Sequence, residues 1–140
     1  MGIAVTKICD IEVGRTGLGE AAAEAAGFSA LSVAVDSTTR AGYYPGAKPI
    51  RTKLVAERGT GRLLGAQITG QEGAAKRIDV LAVALWHEMT VEDLLNIDLS
   101  YAPPFSSPPA NPGSASKPTG IQPTTAHHRP LDPPATTPVT

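Results

Sequence analysis

"IRTKLVAERGTGRLLGAQITG", residues 50–70, decides the fold of this chain, because its two halves alternate on either side of a short turn. In residues 50–57, Ile, Thr, Leu and Ala occupy every second position, and the intervening positions carry mainly charged side chains. This period of two predicts an antiparallel strand with one exposed face. The glycine-containing stretch "RGTGR" predicts a turn, and residues 63–70 predict the returning strand.

The N-terminal segment has the same period of two. In residues 4–13, Cys9, Ile11 and Val13 fall on one face, which predicts a single half-buried strand. Cys9 then becomes a buried structural thiol in the middle of that strand. As the one cysteine of the chain, it excludes an internal disulfide and fits a reducing, cytoplasmic compartment.

The next two segments predict a helix and a strand. An alanine-rich run predicts a helix over about residues 18–26, with Thr16 as its cap and Gly27 as its left-handed stop. Residues 29–37 alternate again and predict a second strand.

The region after the hairpin is helical in pattern. Ile78 and Leu85 belong to a stripe with helical spacing, within a predicted helix at 74–88. Its apolar surface is wider than one stripe, so it needs a second partner, which in so small a domain fits another chain. Thr90 and Asp93 resemble a capping box that starts a short last helix. The order of elements predicts an α+β fold, an antiparallel sheet with helices packed on one face.

Composition divides the chain in two. Eleven of the 13 prolines lie at or after Pro103, and residues 107–140 are dominated by Pro, Ser, Thr and Ala. Such a sequence buries too little apolar surface to offset its ordering entropy, which predicts a disordered tail after a domain at 1–106. The net charge of −1 argues against a nucleic-acid or membrane-surface protein. No apolar run reaches the length of a membrane span, so we expect no membrane partner.

Motifs for autonomous chemistry are weak. The glycines of "GRTGLG", residues 14–19, do not have the spacing of a dinucleotide fingerprint. His87 and Glu88 are neighbours, and adjacent helical residues do not face each other. His127 and His128 lie in the tail without further ligands nearby. The residues themselves therefore indicate an interaction or assembly domain.

The segment "YAPPFS" at 101–106 has two interpretations. Its two prolines can neither continue a helix nor join a central strand. It either ends the core with two aromatic plugs, or it is a rigid segment that presents Tyr101 and Phe105 to another molecule.

Five separated motifs resemble one family. They are "YYPG" at 43–46, "GRLLGAQ" at 61–67, "KRIDV" at 76–80, "TVEDLL" at 90–95 and "YAPPFS" at 101–106. Together they resemble the C-terminal dimerisation domain of the pyridine nucleotide-disulfide oxidoreductases. Within that family they are similar to the branch of coenzyme A-disulfide reductases, NADH oxidases and persulfide reductases.

The resemblance implies a role at a partner subunit's active site. Tyr101 corresponds to a tyrosine that approaches the flavin and redox cysteine of the other subunit, and Tyr44 or Tyr43 is its companion, with Tyr44 preferred. Lys76 and Arg77 either face the phosphates of a coenzyme A-like substrate or form a solvated helix turn. The expected partner is a second copy or a flavoprotein subunit that carries FAD and NAD domains.

The chain also departs from the family. It has neither the FAD and NAD(P)H motifs nor the redox cysteine, so we expect no cofactor bound by this chain alone and no catalysis without a partner. The family's usual continuation is replaced after residue 106 by "SPPANP", which suggests a truncated or rearranged gene. The alternatives are a stand-alone homodimeric binding module and a non-functional gene remnant.

Overall fold

A five-stranded antiparallel sheet with three helices forms the domain. The computed structural model describes residues 2–106, and the predicted tail, with His127 and His128, lies outside them. The sheet order is β1-β2-β5-β4-β3. The elements are β1 (Ile3–Ile8), β2 (Ile11–Gly17), α1 (Glu20–Ala25), β3 (Ala30–Thr38), β4 (Pro49–Glu57), β5 (Leu63–Gly70), α2 (Ala74–Trp86) and α3 (Val91–Asn96). No helix within residues 2–106 has the length and apolarity needed to cross a bilayer.

The predicted hairpin forms β4 and β5 near the centre of the sheet, and α2 packs on it. Ile78 is fully buried and contacts a cluster that includes Ile50, Ala66 and Ile68. β2 approaches α2 closely at Gly14, where an added Cβ would lie 3.2 Å from the Cβ of Ile78. The apolar stripe of the helix therefore fixes α2 over the middle strands.

The other face of the sheet carries α1. Val55 alternates with the side chains that face α2, and it packs with Ala23 of α1 and Leu64. The predicted α+β class, an antiparallel sheet with helices, is confirmed, whereas α1 departs from the predicted single helical face. A bulge between Val55 and Ala56 turns Leu64 towards α1, and a bulge of this kind is not visible in a simple alternating pattern.

The prediction of one strand over residues 4–13 is wrong. Residues Cys9 and Asp10 form a two-residue turn, with Ile8 paired to Ile11, so the segment is a hairpin of β1 and β2. Cys9 has φ 51° and a free, exposed thiol, which also corrects the prediction of a buried one. A two-residue turn preserves the alternation of its flanking strands, and this one lacks the glycine that usually signals it.

Two of the three predicted helix signals are confirmed. Gly27 has φ 89°, and the N–H of Phe28 donates to the carbonyl of Ala23 as in a Schellman motif. Thr90 and Asp93 form the capping box of α3. Thr16 does not cap α1, because it is a buried residue of β2 and the helix begins after Gly19.

Candidate functional site

The loop between β3 and β4, residues 39–48, lies against the segment 101–106. The N–H of Ala41 donates to the carbonyl of Pro103 over 3.0 Å. The loop closes on itself where the N–H of Thr39 donates to the carbonyl of Lys48 at 2.8 Å. The two aromatic-proline segments of the sequence are therefore neighbours, although about sixty residues separate them.

Arg77 of α2 bonds to both of these segments. Its Nη2 donates to the carbonyl oxygen of Thr39 at 2.7 Å and to that of Phe105 at 3.0 Å. The other terminal nitrogen, Nη1, is buried and has no hydrogen-bond partner within residues 2–106. Burial lowers the pKa of the Arg77 guanidinium, and the nearby charge of Glu72 opposes that effect.

Tyr101 pairs with Tyr43. Hydrogen bonding to Tyr43 raises the pKa of Tyr101, with burial as a smaller cause in the same direction. Tyr101 is 44% exposed and Tyr43 is 75% exposed, so a second molecule can reach both rings. Tyr44, the preferred companion in the sequence analysis, uses its N–H in a turn, donating to the carbonyl of Ala41 at 2.7 Å.

Lys76 and Arg77 have different surroundings, although the resemblance groups them. The Lys76 side chain is 85% exposed, and its Nζ lies 2.6 Å from Oδ2 of Asp79, one turn along α2. This contact raises the pKa of Lys76. The Lys76 ammonium therefore remains accessible to an anion, while the Arg77 guanidinium is engaged by main-chain carbonyls.

Sequence reasoning missed the residues that support the 39–48 loop. Arg40 forms an ion pair with Glu72 at 2.7 Å, which ties this loop to the turn before α2. The acceptors of Arg77 are main-chain atoms and leave no signature in the sequence. One feature of the sequence does indicate partial burial of Arg77. This residue directly precedes Ile78, so its side chain lies beside the buried stripe of α2 rather than opposite it.

The glycine-rich segment 14–19 does not fit a nucleotide phosphate. Gly14 packs closely against Ile78, and Gly17, with φ 66°, lies against the main chain of Leu64 and Gly65. These glycines allow close packing within the domain instead of leaving a cradle of free N–H groups. Within residues 2–106, no group of three acidic, histidine or cysteine side chains is placed to hold a metal ion.

Comparison with known proteins identifies the domain. Residues 3–111 match the sequence model of the family described as pyridine nucleotide-disulphide oxidoreductase, dimerisation domain. The chain belongs to this family. The resemblance found from the five motifs is thereby confirmed, and the paired tyrosines are part of a reductase dimerisation domain.

Relatives of this dimerisation domain are much longer proteins. The NAD(P)H coenzyme A polysulfide/persulfide reductase of Pyrococcus horikoshii is 42% identical over 106 residues, 76% of this chain and 24% of the relative. The NADH oxidase of Methanocaldococcus jannaschii is 39% identical over 103 residues, 74% of this chain and 23% of the relative. A solved NAD-dependent persulfide reductase from A. fulgidus has a TM-score of 0.74 at 43% identity, over 76% of this chain and 20% of that chain. The chain thus spans about a quarter of the length of the curated relatives it matches.

Proposed function

We propose that this dimerisation domain pairs with a flavoprotein subunit, or with a second copy of the domain that belongs to a flavoprotein subunit, and completes the active site of that subunit. The observation that carries this proposal is the joining of the 39–48 loop to the 101–106 segment by hydrogen bonds to main-chain carbonyls, with Tyr43 and Tyr101 exposed at the surface. The relatives are named for reduction of polysulfide or persulfide and for oxidation of NADH. We therefore propose NAD(P)H-dependent reduction of a disulfide, persulfide or oxygen as the reaction of the assembled enzyme.

The outer face of α2 supports the pairing. Val83 is 59% exposed and Trp86 is 75% exposed, and both lie away from the stripe that packs on the sheet. Leu95, in α3, and Leu99, which follows α3, are also exposed. Exposed apolar side chains of this size are typical of an interface. We propose this face as the contact with the partner subunit.

Tyr101 and Tyr43 supply hydroxyl groups to that partner. The FAD and NAD(P)H of the family would be held by the partner, where they carry the electron transfer. A tyrosine hydroxyl donates a hydrogen bond to negative charge that develops on sulfur or oxygen during the reaction. Tyrosine is protonated at neutral pH because its ordinary pKa is about 10, and the pKa of Tyr101 is raised further.

Lys76 is proposed as the contact for an anionic substrate. Its ammonium is exposed and is held near Asp79 by a single ion pair, which gives way readily to a phosphate. Tyr44 stays a candidate companion of Tyr101. We also propose a cytoplasmic location, which fits the exposed free thiol of Cys9.

A native mass spectrum of the chain purified from its own cells tests the pairing. We expect an assembly heavier than one chain that carries flavin. In that assembly, Val83→Asp places a charge in the proposed interface and should release the chain, while Ala21→Asp, on the exposed surface of α1, should not. A monomeric chain without flavin would contradict the proposal, and a flavin-free homodimer would instead indicate a stand-alone module.

The role of the tyrosine is tested by kinetics of the same assembly. Tyr101→Phe removes the hydroxyl and keeps the ring, so we expect kcat for NAD(P)H oxidation to fall about 10²-fold, as for other lost donors to a developing anion. An unchanged kcat would exclude Tyr101 from the reaction.

A further inference from the structure

We infer that Arg77 is a positioning residue, whose guanidinium joins the 39–48 loop to the 101–106 segment and so sets the position of Tyr101 relative to Tyr43. This inference rests on the proposed function for its catalytic meaning. Its structural content concerns only this chain, and the experiment below decides it without a partner.

The segment that carries Tyr101 has few other means of attachment. Residues 97–106 form neither helix nor strand, and the side chains of Leu99, Tyr101 and Phe105 are largely exposed. None of the buried clusters of the core includes a residue of this segment. The two prolines also lack the N–H groups needed to join a sheet edge. Its position therefore depends on main-chain hydrogen bonds.

Two of those hydrogen bonds cross to the rest of the domain. One runs from the N–H of Ala41 to the carbonyl of Pro103, and the other from Arg77 to the carbonyl of Phe105. Their acceptor carbonyls lie on either side of Pro104, two and four residues after Tyr101. Because Arg77 also donates to the carbonyl of Thr39, the same side chain fixes the start of the loop that presents Tyr43. Arg77 is thus hydrogen-bonded both to the 39–48 loop, which carries Tyr43, and to the 101–106 segment, which carries Tyr101.

A guanidinium suits this task and carries an energetic cost. It keeps its charge when partly buried, and its planar group directs several N–H donors from one point. The Nη1 atom is buried with no partner within residues 2–106, so burial of this cation is only partly compensated. An apolar side chain of similar length would remove this cation but would leave the carbonyls of Thr39 and Phe105 without their shared donor.

Tyrosine NMR on the full 140-residue chain tests this inference. The chain has three tyrosines, so ring-labelled protein gives three sets of signals that Tyr→Phe variants assign. In the native chain we expect a nuclear Overhauser contact between the rings of Tyr43 and Tyr101, and late ionisation of Tyr101. In Arg77→Met we expect that contact to be lost and the pKa of Tyr101 to fall towards its ordinary value.

Lys76→Met is the matched control, because it removes a neighbouring cation of α2 that contacts only Asp79 among the described residues. It should leave both tyrosine signals unchanged. Arg77→Lys, which keeps a charge and hydrogen-bond donors, should restore part of the contact. A folded Arg77→Met protein that retains the Tyr43–Tyr101 contact and the late ionisation would overturn the inference.

A second measurement covers the case in which Arg77→Met does not fold. In the native chain, the Nη protons of Arg77 and the amide proton of Ala41 should exchange slowly with solvent. Fast exchange of the Arg77 protons would show that the carbonyl contacts do not persist, and would also overturn the inference. Failure of the proposed function would be seen separately, as a chain without a flavoprotein partner.

Discussion

β1 and β5, the first and last strands in chain order, are both rich in apolar residues but lie in opposite environments. β1, "IAVTKI", is exposed along its whole length, whereas six of the eight residues of β5, "LLGAQITG", are buried. β1 pairs only with β2, while β5 lies between β2 and β4 and beneath α2. Apolar content therefore does not decide burial in this fold. Position in the sheet decides it, and the edge keeps apolar side chains that the domain itself does not cover.

The largest expected effect on stability comes from shortening the side chain that packs α2 on β5. Ile78→Ala leaves a cavity against Ala66 and Ile68, so we expect the free energy of unfolding to fall by about 2–5 kcal/mol. Val5→Ala, at the 55%-exposed edge, should change it by less than about 0.5 kcal/mol. Urea unfolding followed by circular dichroism, at one protein concentration, measures both. Similar losses at the two sites would refute the contrast.

A smaller effect sharpens the contrast on β5 itself. A Cβ at Gly65 would meet the main chain of Leu18, which cannot move aside like a flexible side chain. We expect Gly65→Ala to lower the free energy of unfolding by about 1–3 kcal/mol, the usual cost of overpacking. Gly42→Ala is the control, because a Cβ there has no neighbour within 4 Å. Thermal unfolding of both variants decides, and equal melting temperatures would contradict the close approach.

The smallest effect belongs to the edge. Cys9 holds φ 51° at the first position of the β1–β2 turn, a conformation that costs an L-residue more than glycine. Cys9→Gly should therefore raise the free energy of unfolding by a few tenths to about 1 kcal/mol. Asp10→Gly, at the other turn position, which is outside the left-handed region, should lower it. Chemical denaturation of the two variants tests this, and a loss in Cys9→Gly would count against the turn.

Local patterns predicted the centre of the fold better than its edge. The β4–β5 hairpin, the stripe around Ile78 and the capping box at Thr90 were all readable, because each depends on residues close in sequence. The β1–β2 turn was not readable, because Cys9 and Asp10 lack a glycine signal and preserve the alternation. The contact of Leu64 with α1 occurs at a bulge near Val55, which alternation alone does not reveal.

The candidate site residues come from the resemblance to the family and not from a local pattern, and their roles stay predictions. Tyr101 could be named from its motif, but the choice between Tyr43 and Tyr44 depends on the turn within the loop. In that turn, the main-chain N–H of Tyr44 donates to the carbonyl of Ala41, and Tyr43 raises the pKa of Tyr101. Lys76 and Arg77 are adjacent in α2 and point in different directions from the helix, so the Lys76 ammonium is exposed and the Arg77 guanidinium is half-buried.

The hydrogen bonds that hold the two tyrosine segments together end on main-chain carbonyls, at positions 39, 103 and 105. Every amino acid supplies such a carbonyl, so these positions keep their bonding when their side chains are exchanged. The surface around the tyrosines is consequently free to acquire new side chains while the spacing of the hydroxyl groups stays fixed. The side chains of the loop and the segment can therefore change without rebuilding the domain beneath them.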